Sequence, residues 1–155
     1  MKNIKPIILS PTADILEPKL TKKFTSLVNL IFAAGKHSLP DSLVNHINSE
    51  IESISQFPGS TEATTKKLAK FQKDLLQKLE KEQNLVPKNH YRNMWLPLGM
   101  VAVGLPIGTA FGLMMDNISL LAIGLPIGIG IGVAFGSAKD QKAKKEGRQL
   151  DFEVT

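Results

Sequence analysis

Between Met94 and Ala138 the chain carries one charge, and that charge sits in the middle. The stretch reads MWLPLGMVAVGLPIGTAFGLMM, then Asp116-Asn117, then ISLLAIGLPIGIGIGVAFGSA. Each apolar run, 94–115 and 118–138, would as a helix rising about 1.5 Å per residue reach roughly 32 Å, the thickness of a bilayer's hydrocarbon core. A core helix of a small soluble protein needs no more than about 14 apolar residues in a row. Two longer runs in tandem would have nothing to hide against. The pattern predicts a transmembrane α-helical hairpin over 89–138.

Before the hairpin the apolar positions recur at helical spacing. Residues 1–11 read as an irregular arm. Ser10-Pro11 has the form of a helix start, but Pro18 breaks any helix begun there. A first helix runs from Lys19 to Ala34 with Leu20, Phe24, Leu27, Val28 and Ile31 on one face and Gly35 as its stop. Ser38 or Asp41 caps a second, whose stripe is Leu43, Ile47, Ile51 and Ile54. Phe57-Pro58-Gly59 ends it. Ser60 or Thr61 opens a third, with Leu68, Phe71, Leu75 and Leu79 as its seam and Lys66, Lys67, Lys70, Lys73 and Lys78 opposite, stopped by Asn84 to Pro87. The fold class expected is all-α: a small cytosolic helical bundle over 1–88, the hairpin over 89–138, and a basic cytosolic tail over 139–155. In that tail the second span continues as a polar helix until Gly147.

Charge orients this arrangement. The net charge is +5, and Lys88, Arg92, Lys139, Lys142, Lys144, Lys145 and Arg148 crowd the two ends of the hairpin while its turn holds only Asp116. Positive flanks face the cytoplasm, so both termini are expected there and the turn outside. Tyr91, Arg92, Trp95, Lys139 and Lys142 are the expected interfacial anchors, in contact with membrane lipid. The lysine face of the third helix reads either as a solvated face or as a contact for anionic headgroups. Nucleic acid is not an expected partner, because the basic residues lack interleaved aromatics. Without cysteine there is no disulfide, thiol nucleophile or lipoprotein anchor. Pro6 and Pro11 bracket only three apolar residues, too few for a signal-peptide core, so the hairpin itself is expected to direct insertion.

Nine of the twelve glycines lie in the two spans. In water each would weaken a helix by about 1 kcal/mol relative to alanine. In lipid, small residues that let backbones touch become the adhesive. Gly104, Gly108 and Gly112 fall four apart, as do Gly124, Gly128, Gly132 and Gly136, and these are the expected helix-packing positions. The sequence GLPIG at 104–108 recurs at 124–128, which puts kinks at Pro106 and Pro126 at nearly the same depth. Each proline removes the donor for a carbonyl four residues earlier, at Ala102 and Ala122. That leaves two readings: kinks shaped for packing, or a lumen lined by Thr109 and the carbonyls of Ala102 and Ala122. No ionisable side chain lies inside either span, which argues against proton relays and voltage sensing.

No catalytic pattern stands out, and no cofactor is expected. His46 and Glu50 have metal-compatible spacing but no third ligand, so no metal is expected either. GIGIG at 128–132 lacks the lysine of a phosphate loop.

The segment from Leu85 to Leu150, through HYRNMWLPLGM, GLPIGTAFG, GLPIGIGIGVAFG and AKKEGRQL, resembles a group of small, uncharacterised bacterial two-span glycine-zipper membrane proteins. The resemblance implies a bacterial inner-membrane location and a self-packing hairpin, and it supplies no activity to carry over. The function expected is a homo-oligomeric membrane assembly, as a pore or channel controlled by the cytosolic helices. The alternative is a non-conducting anchor or adaptor that recruits a cytosolic protein partner.

Overall fold

The computed structural model describes residues 4–8 and 17–154; the expected helix start at Ser10-Pro11 lies outside them. The chain divides into two compact units. One comprises Met1–Pro87 together with Leu150–Thr155, and the other Lys88–Gln149. The hairpin is thus inserted between two parts of the first unit.

The first unit is built on α1 (Pro18–Gly35), α2 (Asp41–Ser55) and α3 (Thr61–Gln83). Pro18 opens α1, one residue ahead of the expected start at Lys19, because the first turn of a helix has no use for an amide donor. The buried face of α1 is Leu20, Leu27, Leu30, Ile31, Ala33 and Ala34. Val28, expected in that seam, is exposed, and Phe24 is only partly buried. The face lies about a fifth of a turn round from the five-residue stripe, on the side that carries Leu30, Ala33 and Ala34.

The stripe of α2 is buried as expected, joined by Val44. Its start is not capped by a side chain. Pro40 occupies the N-cap position and its carbonyl accepts the Leu43 and Val44 amides at 3.1 Å, while Asp41 lies inside the first turn, where its charge suits the helix dipole. In α3 the Ser60 hydroxyl accepts the Ala63 amide at 3.4 Å, and Asn84 closes the other end in the left-handed region (φ 54°). Leu68, Phe71, Leu75 and Leu79 are buried. Among them Gln72 donates to the Ser26 hydroxyl of α1 at 3.0 Å, a buried polar pair that satisfies itself.

Two short strands complete this unit. β1 (Val86–Lys88) and β2 (Gln149–Glu153) form a two-stranded sheet. Leu85, Leu150 and Phe152 are buried in the same core as α1–α3, and Val86 is also buried. The residues 139–155, expected as one basic tail, are therefore divided between a helix and a core-forming strand. The alternation Leu150, Asp151, Phe152, Glu153 is a period-2 signal that the surrounding charge obscures; β1, three residues with Pro87 in the middle, carries none.

In the second unit, two helices are long and apolar enough to cross a membrane: His90–Met114 and Leu121–Lys145. Only 17% and 22% of their most apolar stretches are buried. A core helix of a soluble protein hides most of such a stretch; these present it outward. The first helix is composite: α4 (His90–Gly99), a π-helical turn over Met100–Gly104, and α5 (Leu105–Met114). Its return is tight. Asp116 takes a positive φ of 45°, the Asn117 amide bonds the Gly112 carbonyl, and the Asn117 side chain accepts the Ser119 amide. After a 3-10 turn (Ile118–Leu120), α6 (Leu121–Lys145) runs unbroken past Pro126 and about two turns beyond Ala138. Gly147 then ends it with φ 69°.

Candidate functional site

The hairpin is held by glycines that face backbone. A methyl group placed on Gly104 would lie 2.8 Å from the Gly124 carbonyl oxygen, and one on Gly128 would lie 2.5 Å from that of Gly99. On Gly124 it would strike the Gly104 carbonyl, on Gly108 that of Leu121, and on Gly132 that of Trp95. Gly136 closes on Arg92 in the same way. Six of the seven packing glycines sit in this seam. Gly112 is half-buried near the turn, where a methyl would meet the Asn117 carbonyl at an ordinary 3.5 Å.

The seam also uses Gly99, which the four-residue spacing missed. Counting back in fours from Gly104 leads to Met100, whose side chain could not fit against the Gly128 and Gly132 backbone. The π-turn supplies the extra residue. Leu105 bonds the Met100 carbonyl five positions back instead of four, so the seam steps from Gly104 to Gly99 and Met100 is carried out of it. Pro106 helps to explain the site of this irregularity: its missing amide already interrupts the α-pattern there.

The close pairs also fix depth. A methyl on Gly124 would lie between the Gly104 carbonyl and the Gly108 amide, so Gly124 stands level with about residue 106. Pro106 and Pro126 therefore differ in depth by about two residues, roughly 3 Å along the helix axis. The GLPIG repeats are equivalent in sequence but not in conformation, since only the first follows a π-turn.

Pro106, Pro126, Ala102, Ala122 and Thr109 are all exposed on the outside of the hairpin. The Thr109 hydroxyl donates to the Leu105 carbonyl of its own helix at 2.8 Å. Two helices enclose no lumen, and none of these residues meets across the seam. They share the outer surface with further small residues: α6 exposes Ala122, Pro126, Gly130, Ala134 and Ala138 at four-residue intervals, and a methyl on Gly130 would meet nothing within 4 Å.

The expected anchors gather at the end of the hairpin away from its turn. The Lys139 ammonium lies over the Trp95 ring at 4.8 Å and the Tyr91 ring at 5.8 Å, and Trp95 stacks on Phe135 with centroids 5.9 Å apart. Lys142 sits 3.9 Å from Glu146. Hydrogen bonds to Glu146 and then Tyr91 push the Arg148 guanidinium above its usual pKa. Asp140, for which spacing gave no signal, is buried here. Its two carboxylate oxygens accept the Tyr91 and Arg92 amides at 3.0 and 2.9 Å.

In the helical unit the lysine face of α3 is partly engaged. Lys67 donates to the carbonyl and hydroxyl of Ser53 and lies over Phe57 at 4.4 Å, and Lys66 pairs with Glu62 at 2.7 Å. His46, weighed as a ligand with Glu50, instead meets Asp74 of α3 at 3.0 Å. Comparison with protein-family models, curated proteins and solved structures finds no match.

Proposed function

We propose that this chain is an integral membrane protein whose hairpins self-associate through their outer faces, as an oligomeric pore or channel controlled by the helical unit. The observation that carries this reading is the small-residue surface left over once the seam has used its own glycines. Ala122, Pro126, Gly130 and Ala134 on one helix and Ala102, Pro106 and Thr109 on the other are exposed, and small residues are what membrane helices use to approach one another. The prolines deprive outward carbonyls of their donors, and such carbonyls are tolerated in a bilayer against protein or water. The basic ends of the hairpin support an orientation with both termini cytoplasmic, and the resemblance to bacterial glycine-zipper proteins supports the inner membrane.

A second reading, a non-conducting anchor or adaptor, draws on a different observation. Phe32 of α1 is 61% exposed beside a groove of about 900 Å³ lined by Thr25, Asn29, Asp151, Phe152 and Glu153, a surface shaped for a cytosolic protein partner.

The deciding experiment reconstitutes the full chain in liposomes and compares wild type with the Ala122→Leu/Gly130→Leu double variant, reading chemical cross-linking and ion flux together. Both positions are clear of the seam, so the hairpin itself should survive. Oligomers and flux in the wild type that the variant loses would support the pore. Oligomers without flux would favour the anchor. A wild type that is monomeric at all lipid ratios would sink the self-association reading.

A further inference from the structure

We infer that Asp140 is a latch on the open end of the hairpin: its carboxylate fastens the first turn of α4 to α6, and its release opens that end while the glycine seam below stays closed. The first amides of any helix lack partners within the helix. At α4 the N-cap residue, Asn89, sits in the left-handed region (φ 58°) and its side chain makes no capping bond. The cap comes instead from the other helix, 48 and 49 positions along the chain. Both oxygens of one carboxylate are used on successive amides, and the group is only 6% exposed. Bonds to an ionised acceptor are among the stronger ones, and removing the acceptor leaves buried donors unsatisfied.

Location makes this fastening separable from the rest. Deeper in the hairpin, glycine meets glycine, as Gly104 does with Gly124. At the open end the partners of Gly132 and Gly136 are the backbones of Trp95 and Arg92, residues whose bulk must be directed aside. Trp95 leans on Phe135, and Lys139 rests on both rings. These contacts line the sides of the joint; Asp140 ties its side chain to backbone across it. The inference holds whether or not hairpins assemble.

The test uses the full chain in lipid nanodiscs, with amide hydrogen exchange and the emission of Trp95, the single tryptophan. In the wild type, Tyr91 and Arg92 should be protected, unlike ordinary first-turn amides. Asp140→Asn, which keeps the size but offers one acceptor in place of two, should speed exchange at Tyr91 and Arg92 by about tenfold or more and shift Trp95 emission to the red. Amides between Gly104 and Gly108 and between Gly124 and Gly128 should not change. Lys139→Gln should alter Trp95 emission and leave the Tyr91 and Arg92 amides protected. Wild-type Tyr91 and Arg92 that exchange freely would overturn the inference without any variant. So would a variant whose exchange rises equally along both helices, since Asp140 would then support the whole hairpin and latch nothing.

Discussion

The two units of this protein solve the packing problem in opposite ways. In the helical unit, α1, α2 and α3 are kept apart by large side chains, with Leu20, Leu27, Ile47, Leu68 and Leu75 wholly buried between them. Between residues 94 and 138 the buried positions are glycines, and what touches is backbone. Water explains the contrast. A helix with a leucine stripe gains by hiding it from water, at about 25 cal/mol per Å². In the bilayer proposed for the hairpin the same stripe would gain nothing by being hidden, which accounts for leucines and isoleucines left outside and for contacts made where the backbones come closest. One chain carries both solutions, and the same substitution should have opposite meanings in the two halves.

The largest effect expected is therefore enlargement in the seam. Gly124→Leu would drive a side chain into the Gly104 carbonyl and the Gly108 backbone. It should cost the hairpin at least about 3 kcal/mol, read as lost amide protection from Gly99 to Gly108, with the helical unit unaffected. The reverse operation should matter in the other unit. Leu75→Ala should destabilise α1–α3 by about 2–5 kcal/mol, seen in its urea midpoint, and leave seam amides as they were. If either substitution moved both units equally, their independence would be refuted. Smaller again is Ser60→Ala, about 0.5 kcal/mol, the low end for a lost N-cap because the bond is long at 3.4 Å.

Smallest of all is Glu62→Gln. Its bond to Lys66, then the charge of Lys66, holds the Glu62 carboxyl below its ordinary pKa. The sign follows: the contribution is present above the unfolded value, about 4.3, and fades as pH falls through the lowered one. Both partners are fully exposed, so the pH-stability curves of wild type and variant should nearly coincide.

Legibility in the sequence followed locality. The long apolar runs, the three helices and the glycine runs were readable because each depends on residues a turn apart, and periodicity records that. The seam of α3 and the stripe of α2 stand where spacing placed them. Val28 did not, since which arc of α1 faces inward is chosen by its neighbours and not by α1. Gly99 was invisible for a subtler reason: a four-residue count presumes a regular helix, and one π-turn changes the count.

By itself, then, the sequence determined a mostly helical chain with two apolar helices long enough to cross a membrane and with glycine at their shared face. Only the tertiary structure decided which glycines meet, that Gly99 joins them across a π-turn, that Leu150 and Phe152 return to complete the first unit's core, and that Asp140 caps a helix beginning fifty residues earlier. The reason is physical. Period and composition are properties of neighbours along the chain, whereas register, closure and a carboxylate's choice of amides are properties of neighbours in space.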